Sequence, residues 1–339
     1  MAVDGCPPGY ARPVTTAPGL GEPLLLARLT GARRVLVAGA GGGFDVYAGL
    51  PLALALAARG KEVHLANLSF TYLGGTDAAL AAPHLYRVTP DTAGEDGYFP
   101  ERALARWLAG RDLAGLAPVV WSLEKVGVRP ARAAYEALAT TLALDAIVLC
   151  DGGTDLLMRG DEAGLGTPAE DMISLGAVAA LPPALAPTRL VACIGFGIDT
   201  FHGVCHAHFL ENVAALERAG AYLGAFSVPR ATAEGAAFLD AVAAAQAAHA
   251  SRPSIVNGSI AAAVEGHFGD VRFTARTAGS ELFINPLMGL YFGFELDAVA
   301  RASLYLDQLA ATESVWQVTT FIEAFRKGVT ARPWRALPH

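Results

Sequence analysis

From Arg33 onward one pattern repeats: a short β-rich apolar run, a polar or glycine-rich break, then a stretch with helical spacing. The runs are RVLVAGA (34–40), EVHLANL (62–68), PVVWSL (118–123), AIVLC (146–150), RLVACIGF (189–196) and AYLGAFSV (221–228). They show little polar alternation, so both faces of each strand need covering, which is the habit of parallel strands flanked by helices. Helical patterns over 47–59, 130–143, 168–181, 206–219 and 231–249 supply the covering layers. Right-handed crossovers then predict a doubly wound, mostly parallel, Rossmann-like α/β sheet with helices on both faces. The C-terminal part reads as helical, most clearly over 295–310 and 313–328. Residues 1–21 are rich in Pro and Gly without periodicity and read as a flexible arm, and 22–339 as a single α/β domain.

Composition removes several functional classes. With 339 residues, 53% hydrophobic and 17% charged, the chain is neither disordered nor fibrous. The net charge is −7 and no Lys/Arg run occurs, so nucleic acid is not an expected partner. The strongest apolar stretches, Leu50–Ala58 and that around Leu287–Phe294, fall short of the ~20 residues of a spanning helix, so no membrane is expected either. The opening MAVDGCPPGY lacks the apolar core of a secretory leader. Cys6, Cys150, Cys193 and Cys205 show no metal-type pairing, and reduced thiols point to the cytoplasm.

In an open parallel sheet, ligands bind beyond the carboxyl ends of the strands. Five runs end there in polar or glycine-rich residues: Gly39-Ala40-Gly41-Gly42-Gly43-Phe44-Asp45, Asn67-Leu68-Ser69, Ser122-Leu123-Glu124-Lys125, Asp151-Gly152-Gly153-Thr154-Asp155 and Gly195-Phe196-Gly197-Ile198-Asp199. The glycine loop admits a substrate contact, a cofactor, or a tight turn with Asp45 as helix cap. The nicotinamide fingerprint fails at Phe44, and Asn67 stands where a ribose-binding acid belongs. Gly39-x-Gly41-x-Gly43 does match the looser pattern of S-adenosylmethionine transferases.

The densest polar segment is DGGTDLLMRGDEAGLGTPAED (151–171), which gathers Asp151, Asp155, Asp161 and Glu162 around Arg159. Crowded carboxylates must pair, hold a proton or bind Mg²⁺, for which Asp151, Asp155 and Asp161 are the candidate ligands. Thr167-Pro168-Ala169-Glu170 predicts a capped helix start, which accounts for Glu170 and leaves Asp171 without a functional assignment. Glu124 closes an otherwise apolar strand and is a candidate for the site wall. His202 is a candidate acid–base group, while His206 and His208 read as a solvated helix start rather than zinc ligands, because Gly203 breaks the turn. LFINPLMGLYF (282–292) reads as core or, alternatively, as a homodimer face.

The segments VLVAGAGGGFD, LEKVGVRPAR, DGGTDLLMRGDEAGLGTPAED, GFGID and NPLMGLYFGF together resemble the prokaryotic family called domain of unknown function 1152, over roughly residues 33–328. That name implies no activity. Glu124 and Asp151-Gly152-Gly153-Thr154-Asp155 are also locally similar to D-glutamate cyclases, which close an amino acid into 5-oxoproline. The expectation is an enzyme of lyase, cyclase or dehydratase type acting on a small carboxylate- or amine-bearing substrate. Glu124, Asp151, Asp155 and His202 would handle protons. Gly39, Gly41, Gly42, Gly43, Asp45, Asn67, Thr154, Arg159 and Asp199 would bind the substrate. The alternatives are a transferase using S-adenosylmethionine or a nucleotide, and a non-catalytic ligand-binding protein.

Overall fold

The computed structural model describes residues 21–95, 97–272, 277 and 282–337; the expected N-terminal arm, apart from residue 21, lies outside them. The strands are β1 (Arg34–Gly39), β2 (Glu62–Leu68), β3 (Ala79–Ala82), β4 (Leu85–Val88), β5 (Leu116–Leu123), β6 (Ala146–Asp151), β7 (Thr188–Cys193), β8 (Tyr222–Ser227), β9 (Gly269–Asp270), β10 (Phe283–Ile284) and β11 (Leu290–Glu295). The helices are α1 (Leu24–Arg28), α2 (Asp45–Ala48), α3 (Leu50–Ala58), α4 (Pro100–Ala109), α5 (Val128–Thr141), α6 (Ala169–Ala179), α7 (His206–Arg218), α8 (Ala233–Ala248), α9 (Ile255–Val264), α10 (Leu296–Ala302), α11 (Leu306–Leu309) and α12 (Val315–Gly328).

A nine-stranded sheet in the order β3-β4-β5-β2-β1-β6-β7-β11-β8 forms the centre. The strands β5, β2, β1, β6 and β7 are parallel, as their apolar character on both faces requires. Alternate residues feed two cores. Leu36, Ala38, Ile147 and Leu149 pack with Tyr135 of α5 and Met172 of α6. Val35, Val37 and Val148 pack on the other side with Leu50 of α3, Leu104 of α4 and Phe238 of α8. The chain builds outward from β1 to β5, then returns to β6 on the other side of β1. That reversal is a topological switch point, where a crevice opens beyond the strand ends. Gly39 is in register with both Asn67 and Cys150, and Asp151 with Cys193, so these strand ends share one edge.

The apolar run near residue 290, read as core or a dimer face, holds a strand: β11 lies antiparallel between β7 and β8. Its aromatic side chains favour a pleated, two-sided setting over a helix. Tyr291 and Phe294 are fully buried within the chain, which leaves Phe283 and Leu287 as the exposed large members of the run. No helix among the described residues is long and apolar enough to cross a membrane.

Candidate functional site

The first loop beyond the sheet shows how the site is held. Gly42 and Gly43 take φ of +82° and +60°, which a side chain would strain, and the turn brings Gly43 N onto Leu68 O at 3.0 Å. Asn67 donates to Gly43 O at 2.7 Å and to Glu101 Oε1 at 2.8 Å, while Asn257 donates to Phe44 O at 3.0 Å. The second strand end thus anchors this loop instead of facing a ribose. Asp45 opens α2 but does not cap it; its Oδ2 reaches back to Gly41 N at 2.7 Å. Two of the amides that the sequence offers to an anion are therefore already bonded inside the protein.

Carboxylates from four loops converge on this turn. A Cβ on Gly41 would lie 2.7 Å from Asp45 Oδ2 and 3.0 Å from Asp171 Oδ1, so the glycine is what lets them approach. Oxygens of Asp45, Asp151 and Asp171 lie within 4.8 Å of one another. Asp155 and Asp199 sit close enough to raise the pKa of Asp151 further by repulsion. Burial is the main cause of every shift here: it drives Asp45 up to about 7 and Asp151, Asp171 and Asp199 well above the usual carboxylate range. Asp155 is raised too, opposed by hydrogen bonds from Thr167 and by the charge of His202. None of the five is in an ion pair among the described residues; the neighbouring acid Glu170 takes Lys125, at 2.5 Å. Such an arrangement can keep protons, or it can hold a cation.

Individual expectations fare differently. Thr154 donates through its amide to Asp199 Oδ2 at 2.6 Å and so ties the loops after β6 and β7 together. Thr167 does not cap α6, which has no side-chain cap; its amide and hydroxyl turn to Asp155 Oδ2, at 2.8 and 3.3 Å. The acid cluster outcompetes the local cap because a buried carboxylate needs donors more than a part-exposed helix start does. Glu124 is not in the cluster: its carboxylate meets His84 Nδ1 at 2.7 Å and the Tyr86 hydroxyl at 3.2 Å. Asp161 is likewise elsewhere, paired with Arg332 at 3.2 Å, so Asp45 and Asp171 stand with Asp151 where the sequence placed Asp155 and Asp161. Glu162, fully buried, accepts from the amides of Arg159 and Gly160 and shapes the turn. Arg159 lines a separate, largely apolar cavity of about 390 Å³ with Leu156, Leu216 and Val299. His202 is exposed on a turn over Ile198–His202, whereas His208 is buried and bonded by Ala163 N, contrary to a solvated helix start.

Asp171 was legible only as helix-start charge; what brings it in is the depth at which α6 begins. A groove of about 550 Å³ lies alongside, lined by Lys125, Thr167, Glu170, Trp316 and Ile322. Thr167 links it to Asp155, and Gly41 and Asp45 are the half-buried members of the cluster that reach toward solvent.

Beneath the glycine loop, Glu101 is fully buried and pushed by that burial from about 4.5 up to about 7. Its ionisation in the unfolded chain begins well before that in the folded one, so stability falls as pH rises from about 4.5 to about 7 and is level above. The shift corresponds to about 3 kcal/mol at most. Glu101→Gln keeps the acceptor for Asn67 and should flatten this slope, with denaturant unfolding at pH 5, 6, 7 and 8 as the measurement. Parallel slopes in the two proteins would refute the burial argument.

A family model described as "Protein of unknown function (DUF1152)" matches residues 112–327. The match includes Asp151, Asp155, Asp171 and Asp199 but not the glycine loop, a narrower span than the sequence resemblance covers. No curated protein and no solved structure matches the chain.

Proposed function

The chain belongs to the DUF1152 family, and because that membership carries no activity we propose, from the site itself, an enzyme of lyase, cyclase or dehydratase type acting on a small amine- and carboxylate-bearing metabolite. The observation that carries this reading is the convergence of Asp45, Asp151, Asp155, Asp171 and Asp199 at the switch point, none of them in an ion pair among the described residues. Carboxyls held above their ordinary pKa by burial are suited to give and take protons near neutral pH. Asp155 is the proposed proton-transfer group: Thr167, which positions it, lines the groove, and His202 faces it from the surface. A substrate ammonium is favoured by the clustered acids, and Lys125, at the groove and paired with Glu170, would exchange that partner for a substrate carboxylate. Removal of a proton beside that carboxylate, or attack of the amine on a second one, would expel water or ammonia without a redox cofactor.

The sheet order supports one rival. Its parallel core follows the arrangement of dinucleotide-binding sheets, with the glycine loop after β1. Against it, the Gly41 and Gly43 amides are already taken, by Asp45 Oδ2 and Leu68 O, and are not free for a phosphate. The two readings part in one experiment. Purified protein is incubated with pooled amino and hydroxy acids and followed by mass spectrometry, beside thermal shifts with S-adenosylmethionine and with nucleotides. The proposal expects a metabolite replaced by a product lighter by water or ammonia, and no shift with either cofactor. Stabilisation by a cofactor alone would favour the transferase. Binding with no consumption would make the protein a non-catalytic binder.

A further inference from the structure

We infer that Asp45, Asp151 and Asp171 bind one hard divalent cation of the Mg²⁺ or Mn²⁺ kind, an inference that rests on the same cluster being the working site. The ligand set is all oxygen, which selects hard ions over zinc. Its span is close. Oxygens in an octahedral shell at about 2.1 Å lie about 3.0 to 4.2 Å apart. The oxygens of the three side chains lie within 4.8 Å of one another, so side-chain rotations that draw them together would reach that spacing.

Closeness of acids alone does not make a site; the state of Asp171 adds a separate observation. The residue is 3% exposed, and its Oδ1 is buried without any hydrogen-bond partner. That oxygen points at Gly41, on the same side as Asp45 Oδ2. Leaving a carboxylate oxygen unpaired in the interior is costly, and a natural chain usually satisfies it. Among the described residues its neighbours share few donors: Asp151 Oδ2 accepts from Leu156 N, at 3.3 Å, and Asp45 from the amides of Gly41 and Gly152. Lys125, which lines the adjoining groove, is committed to its ion pair with Glu170 and lies over the Phe70 ring. A cation among the three carboxylates would satisfy Asp171, cancel their repulsion and leave Asp155 and Asp199 outside the shell.

The arrangement also explains the glycine. Any side chain at position 41 would occupy the space that Asp45 and Asp171 share. Asp45 is half-buried, so the cation has a way in from solvent on that side.

The test is Mn²⁺ binding to chelator-treated full-length protein, read by electron paramagnetic resonance, with Mg²⁺ as competitor. The expectation is saturable binding of one Mn²⁺ per chain, displaced by Mg²⁺, and at least tenfold weaker in Asp171→Asn and in Asp45→Asn. Asp45→Asn is the safeguard should the buried substitution impair folding. Absence of saturable binding, or unchanged affinity in a folded variant, would overturn the inference. Turnover of a metabolite with no saturable Mn²⁺ binding would overturn the inference and leave the proposed reaction standing. Mn²⁺ binding without turnover of any metabolite would do the reverse.

Discussion

The Asp155→Asn protein is expected to fold and to lose about 10²- to 10⁴-fold in kcat on whichever metabolite the screen identifies. The substitution is isosteric, and the amide oxygen can still accept from Thr167 N, so Thr167 and the groove it lines stay in place. What disappears is a group that can change protonation state. Because burial raises the pKa of the Asp155 carboxyl, removing its charge should keep the melting temperature or raise it. The combination of retained fold, retained KM and lost kcat separates a proton-transfer role from a structural one. Undiminished kcat would remove Asp155 from the chemistry.

Phe294→Ala is expected to cost about 3–5 kcal/mol of stability, the range for emptying a buried aromatic position. Phe294 is fully buried, on a strand flanked by β7 and β8, with its ring 5.4 Å from that of Tyr222. The same substitution discriminates between the two meanings of an apolar run. If the run is interior, denaturant unfolding shifts and the mass of the particle in solution does not. A change of oligomeric state at unaltered unfolding midpoint would contradict the buried strand.

Much of the architecture follows from local pattern. Strand runs such as 34–40, 62–68 and 146–150 coincide with β1, β2 and β6 because apolar, β-branched residues on both faces leave few other solutions. β11 escaped for a physical reason: a short aromatic run fits a buried strand and a helix about equally until its neighbours are known. The candidate site was legible in its glycine loop and in Asp151, Asp155 and Asp199, since polar residues at strand ends must face one edge. Glu124 stands apart from the carboxylate cluster, and nothing in its own segment announces its partners His84 and Tyr86 on β4's side of β5. Asp161 does pair with Arg159, at 3.8 Å, but Arg332, far away in sequence, holds it closer, at 3.2 Å, and both stand apart from the acid cluster. Asp171 carried no functional assignment in the sequence and Glu101 no signal at all; only the burial of both in the folded chain gives them meaning.

The position of β11 has a consequence for biogenesis. β8 pairs only with β11 in the sheet, and β7 has its second neighbour there as well. A chain growing from its N-terminus must therefore carry two unzipped edges until residues 290–295 have left the ribosome. Open edges of that kind recruit strands from other chains. Nascent chains stalled between 230 and 289 are thus the stage at which this protein most needs a chaperone.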